Sequence, residues 1–134
     1  MFKKLSVAVV AMSLAAVAQP AVGQSRSQTS QTMQQATLLK IQATNARDFA
    51  LKASITASSA LSKAPLSMKS DVEYVQTQAQ AASEVALAAL QAAVAAKTPA
   101  DLAVAKAKVD YAKSQATAAY EAAVNISRAV ELAR

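Results

Sequence analysis

The sequence contains no histidine and no cysteine. These absences exclude Ser-His and Cys-His nucleophile pairs, thiolate redox centres, ordinary zinc sites and disulfides. The Glu-x-x-His pattern of di-iron helical bundles is excluded as well. A carboxylate pair is the remaining common acid–base device, but the acidic residues are scattered or lie at expected helix starts. We therefore expect no enzymatic activity, no metal and no cofactor.

Turn-forming and aromatic residues are also scarce. Glycine occurs once, proline three times, and aromatic residues make up 4% of a chain that is 54% hydrophobic. Without turn residues, folds built from short strands are disfavoured, and the abundant alanine favours an ordered all-helical protein. Because each buried alanine removes little area from water, stability should come from many small contacts over long interfaces.

The N-terminus has the pattern of a cleavable signal peptide. A short basic start precedes an uncharged apolar run over residues 5–18, and small residues allow cleavage after Ala18 or Gly23. The run is shorter than the roughly 20 residues that a membrane-spanning helix needs. We expect residues 1–23 to be removed, which leaves a periplasmic or secreted protein without stable membrane insertion.

The charge distribution argues against a nucleic-acid partner. The formal charge of +6 falls to +4 when Lys3 and Lys4 leave with the signal peptide. A small group of lysines follows residue 105, but Asp110 interrupts it and no aromatic or arginine-rich face accompanies it. Nucleic-acid-binding surfaces usually carry a more concentrated basic footprint.

Proline and capping residues divide the remaining chain. Residues 24–32, QSRSQTSQT, are polar without apolar periodicity and are interpreted as a flexible leader. Residues 33–134 are interpreted as one helical domain, and Pro65 should end its first helix. Three helices are expected, over about 33–63, 70–97 and 99–133.

Two sequence signals mark the later helix starts. Ser70 and Glu73 have the spacing of a capping box. Thr98, Pro99 and Asp101 supply a hydroxyl cap, a proline at the first helical position and an acid at the third. One long helix kinked at Pro99 is the alternative, but a kink would not need these caps.

Alanine in the first helix follows one strict spacing of three, then four residues. The row is Ala43, Ala46, Ala50, Ala53, Ala57, Ala60 and Ala64, and similar rows fit the second and third helices. Such spacing is typical of a seam between helices packed along one another, and it resembles the alanine-coil class of antiparallel packing, which carries no function. The prediction is an all-α, elongated antiparallel three-helix bundle with Ala-rich coiled-coil-like seams, preceded by a cleavable signal peptide.

The larger apolar residues of the first helix lie away from its alanine row. Leu38, Ile41, Leu51 and Ile55 form a candidate interaction face, called the outer face below. Either the first helix lies in the groove between the other two, using alanines against one and Ile/Leu against the other, or the outer face meets another molecule.

Two functional hypotheses follow from this face. The first is an exported structural or interaction protein that self-associates or docks on another protein in a cell-envelope or surface assembly. The second is a periplasmic binding module or holdase-like chaperone for apolar client segments. An enzyme is a weaker third, since the chain offers so few site-forming residues.

Overall fold

The computed structural model describes the backbone of residues 18–134 and the side chains of residues 30–134. The basic start and most of the apolar run of the predicted signal peptide lie outside the described residues. The described chain forms three helices, α1 (Ala18–Lys63), α2 (Lys69–Ala95) and α3 (Pro99–Ala133), and each packs against the other two. No strand occurs between residues 18 and 134. The all-α, three-helix prediction is confirmed.

The start of α1 differs from the prediction. Residues 24–32, which the sequence suggests are a flexible leader, lie within α1. Pro20 falls in the first turn, where its missing N–H breaks no helical hydrogen bond, and the Gln, Ser and Thr that follow are ordinary helix residues. The prediction rested on missing apolar periodicity, which reports on burial rather than on helix formation.

The connection between α1 and α2 corrects the first capping prediction. Pro65 is followed by a single 3₁₀ turn, Leu66–Met68, closed by a 2.9 Å bond from the Met68 N–H to the Pro65 carbonyl. This turn leads directly into α2, so Lys69 is already helical. Ser70 lies inside the helix and does not cap it, and Met68 caps α2 without a side-chain hydrogen bond.

The corner between α2 and α3 agrees with the sequence. Thr98 has extended backbone geometry, its Oγ1 accepts a 3.1 Å bond from the Asp101 N–H, and Asp101 Oδ2 accepts a 3.2 Å bond from the Thr98 N–H. Asp101 Oδ2 also accepts from the Lys97 N–H at 3.0 Å. This reciprocal capping box, with Pro99 in the first turn, makes a true corner rather than a kink.

The helices run up, down and up. At one end, Ala60 of α1 clusters with Val72 at the start of α2 and Val130 near the end of α3. Lys63 Nζ and Glu131 Oε1 lie 3.6 Å apart at the same end. α1 and α3 are therefore parallel, and α2 runs antiparallel to both.

The core consists mainly of the predicted alanine rows. All seven alanines of the α1 row are buried, as are the eight seam residues of α2 from Val72 to Ala96. In α3 the row is buried from Leu102 to Ala123 and at Val130, while Ile126 is half-buried and Ala133 is exposed. The largest fully buried side chains are valines. Close helix approach therefore replaces bulky side chains as the source of packing contacts.

Candidate functional site

All four residues of the outer face are exposed. The exposed fractions are 54% for Leu38, 53% for Ile41, 42% for Leu51 and 69% for Ile55. α1 contacts both α2 and α3, and it joins their buried core mainly through its alanine row, together with Leu39 and Phe49. The alternative that placed Ile and Leu against a neighbouring helix is therefore wrong, and the sequence rule that large apolar residues lie inside fails here.

The outer face consists of two apolar pairs rather than one patch. Leu38 and Ile41 are three residues apart, and Leu51 and Ile55 are four apart, so each pair shares one side of the helix. The exposed residues Thr44, Asn45 and Asp48 lie between the pairs. A shallow pocket of about 240 Å³ beside Ile41 is lined otherwise by polar side chains and by the stem and ammonium of Lys40.

Leu38 also belongs to a larger feature, a groove between residues 31–42 of α1 and the start of α3. We call it the α1/α3 groove; its volume is about 680 Å³. Its lining includes three leucines with Pro99 and Ala103, and a polar set. The polar residues are Gln31, Thr32, Gln35, Gln42, Lys106, Asp110 and Lys113.

Side-chain size explains where this groove opens. Leu39 and Leu102 occupy the seam here, whereas the seam positions farther along α1 are all alanine and those farther along α3 are mainly alanine. Larger knobs hold helix axes farther apart. Seven residues beyond Gln42 and Lys113, Phe49 and Tyr120 stack across α1 and α3 with ring centroids 4.5 Å apart, which closes the flank. The signal that the sequence analysis missed is this change from alanine to leucine in the seam.

The groove carries two ammonium groups and one carboxylate. Lys106 Nζ donates a 2.8 Å hydrogen bond to Asp110 Oδ2. This bond, together with the charges of Lys106 and Lys113, lowers the pKa of Asp110 below its usual value, against a smaller opposing effect of desolvation. Both partners are more than half exposed, so the ion pair itself adds little stability.

A second exposed apolar strip lies on the outward side of α3. Val104 and Tyr111 are more than half exposed, and Ala100 and Ala107 are exposed beside them. This strip is not evident from the sequence, because α3 is so rich in alanine that its outward positions do not contrast with the seam.

Within residues 18–134 the acidic side chains form no group of three or more that could hold a metal ion. None of the helices in this range combines the length and apolarity that crossing a membrane requires. Comparison with known proteins gave no match to a family model, to a curated protein or to a solved structure.

Proposed function

We propose that this protein is an exported, non-enzymatic helical interaction protein that self-associates or docks in a cell-envelope or surface assembly through the outer face of α1. The observation that carries the proposal is the exposure of Ile41, Leu51 and Ile55 on a helix whose core contacts are made mainly by alanine. Export rests on the signal-peptide pattern of residues 1–23.

The energetic argument concerns where the large side chains lie. Burying one Ile or Leu side chain stabilises a contact by roughly 1.5–3 kcal/mol, which is more than an alanine can supply. The isoleucines and leucines of the outer face are not buried within the bundle, although its core contains few large residues. A partner that covers the outer face would gain this free energy of burial without rearranging the bundle.

The spacing of the outer face fits a second copy in antiparallel orientation. Asp48 lies midway between Ile41 and Ile55, so a two-fold axis at Asp48 would place Ile41 of one copy against Ile55 of the other. The same axis would bring the two Asp48 carboxylates together, which opposes association. Replacing Asp48 with Asn should therefore strengthen a dimer built in this way.

Light scattering and sedimentation on the exported chain test the proposal. We expect reversible association that the double variant Ile41→Ser/Ile55→Ser weakens at least about tenfold, because central apolar anchors dominate interfaces. Val94→Ser on α2 is the matched control, since Val94 is exposed to the same degree as Ile41. Helical circular dichroism should remain unchanged in both variants. A strictly monomeric protein that recovers no partner from envelope fractions would contradict the proposal.

The division of the outer face into two short apolar pairs supports a second candidate, a holdase for apolar client segments. Each pair could hold a short segment, with the polar turn around Asp48 between them. This function predicts a monomer that suppresses aggregation of an unfolded model client. The Ile41→Ser/Ile55→Ser variant should lose the suppression while Val94→Ser retains it.

A further inference from the structure

We propose that the α1/α3 groove binds a single-chain anionic amphiphile, a long-chain fatty acid in the simplest case. The acyl chain would lie along the exposed apolar side chains of the lining, Leu38, Pro99 and Ala103, and the carboxylate would meet Lys106 and Lys113. The inference goes beyond the proposed function, because Ile41, Leu51 and Ile55 do not line this groove.

The dimensions of the groove fit an acyl chain. Its volume of about 680 Å³ lies in the usual range of small-molecule sites. The α1 lining runs from Gln31 to Gln42, which at about 1.5 Å per residue gives a length of roughly 17 Å. One leaflet of the roughly 30 Å hydrocarbon core of a bilayer is about 15 Å thick, so an extended acyl chain has a similar length.

The same dimensions disfavour a helix as the occupant. Spread over roughly 17 Å, the volume gives a cross-section of about 40 Å², around half that of a helix about 10 Å in diameter. A helix of a second copy would therefore be too wide to enter the space between α1 and α3. An acyl chain is thin enough to contact Leu38, which is half exposed.

The charges of the groove fit one anion. Lys106 and Lys113 bring two positive charges and Asp110 brings one negative charge, so one added carboxylate makes the lining neutral. Lys113 lies on the side of the Phe49–Tyr120 stack, and Pro99 and Leu102 lie at the opposite end. The carboxylate is therefore placed near Lys113, and the tail points toward Pro99.

Calorimetric titration of the exported chain with sodium myristate, below its micelle-forming concentration, tests the proposal. Tetradecanol and tetradecyltrimethylammonium test the headgroup, and vesicles of phosphatidylglycerol test whether the anion comes from a lipid surface. We expect myristate to bind at one site per chain and at least about tenfold more tightly than the cationic amphiphile, since charge-assisted hydrogen bonds form only with the carboxylate.

Two matched pairs of variants locate the site. Ala103 lines the groove, whereas Ala107, one turn further along α3 and also exposed, does not. Ala103→Trp should fill the groove and reduce myristate affinity at least about tenfold, while Ala107→Trp leaves it unchanged, because both changes add the same side chain. Lys113→Glu should weaken myristate binding and spare tetradecanol, with Lys108→Glu as the control outside the groove.

Several results would overturn the proposal. These are equal affinity for the anionic and cationic amphiphiles, equal binding by the Ala103→Trp and Ala107→Trp variants, and binding to vesicles but not to myristate. A change in oligomeric state specific to Ala103→Trp, with no myristate binding by the original chain, would show that a second copy occupies the groove. Failure of the Ile41→Ser/Ile55→Ser test affects the proposed function alone, since these residues lie outside the groove.

Discussion

The inner and outer faces of α1 differ in the size of their apolar side chains. On the inner face, Ala43, Ala50, Ala53 and Ala57 have no exposed surface. On the outer face, isoleucine and leucine are 42–69% exposed. A typical amphipathic helix has the reverse arrangement, with its large apolar residues inside.

This difference separates two sources of stability. Alanine buries little area, so its contribution comes from backbones that approach closely and make many dispersion contacts. Close approach in turn leaves no room for larger side chains, because protein interiors are packed as densely as organic crystals. The large residues of the outer face are therefore available for contacts outside the bundle, and the two faces should respond to substitution in opposite ways.

The largest expected difference in the free energy of unfolding is between two single variants at neighbouring residues of α1. Ala50→Leu inserts three carbons into a fully buried seam and should lower the free energy of unfolding by about 3 kcal/mol through overpacking. Leu51→Ala removes the same atoms from the outer face and should change it by less than about 0.5 kcal/mol. Urea unfolding followed by circular dichroism, at concentrations where the chain is monomeric, measures both.

The α2 helix offers the control for this pair of variants. Ala89 is fully buried and the adjacent Ala88 is exposed. Ala89→Leu should repeat the large loss, whereas Ala88→Leu should not. Equal losses at the two positions would show that leucine is poorly tolerated anywhere on the surface of this bundle, and the comparison of faces would fail.

Part of the fold could be predicted because small and large apolar residues lie on different faces of α1. Between residues 43 and 64 alanine occurs only in the seam, so spacing alone identified the buried face of α1. Thr98, Pro99 and Asp101 likewise identified the corner between α2 and α3. The start of α2 could not be predicted in this way, because a 3₁₀ turn after Pro65 supplies the helical geometry that Ser70 was expected to begin.

The sequence shows the seam leucines of the α1/α3 groove, but it does not show that they lie together. The groove depends on the parallel pairing of α1 with α3, which brings Leu39 near Leu102 across more than sixty residues of sequence. Periodicity within one helix does not report which neighbour faces it. The exposure of the outer face could not be predicted for the same reason. The spacing shows that Ile41 lies opposite the alanines, but it does not show whether another helix covers Ile41.

Two valines of α3 allow the same comparison of a buried and an exposed face, with an expected loss of unfolding free energy of intermediate size. Val109 is fully buried, whereas Val104 on the outward side is 56% exposed. Val109→Ala leaves a cavity among residues that already lie close together, and should lower the free energy of unfolding by about 2 kcal/mol. Val104→Ala should lower it by less than about 0.5 kcal/mol. Thermal and urea unfolding should agree, and equal costs would contradict the assignment of the buried face of α3.

Removing the Thr98 cap at the start of α3 should lower the free energy of unfolding by less than a core substitution does. Thr98→Ala deletes the hydroxyl that accepts the Asp101 N–H, and should lower the free energy of unfolding by about 1 kcal/mol. Thr98→Ser retains the hydroxyl and is the matched control. The cap acts on one helix end and leaves both faces of α1 intact, so association through the outer face should be unchanged in sedimentation measurements.

The smallest expected effect is a dependence on pH at the same corner. The N–H of Lys97 donates to the carboxylate of Asp101 and lowers its pKa; the backbone N–H and hydroxyl of Thr98 add to this, and desolvation opposes it. A carboxyl whose pKa is lower in the folded state contributes stability above its unfolded pKa of about 4, and loses it as pH falls through the folded value. The destabilisation caused by Asp101→Asn should therefore shrink below about pH 4.

The Asp110→Asn variant is the comparison. The pKa of Asp110 is lowered mainly by the exposed ammonium of Lys106, and salt screens this effect. At about 0.5 M NaCl the pH dependence at Asp110 should fall more than that at Asp101. Equal salt sensitivity at the two sites would contradict the assignment of backbone amides as the main cause at Asp101.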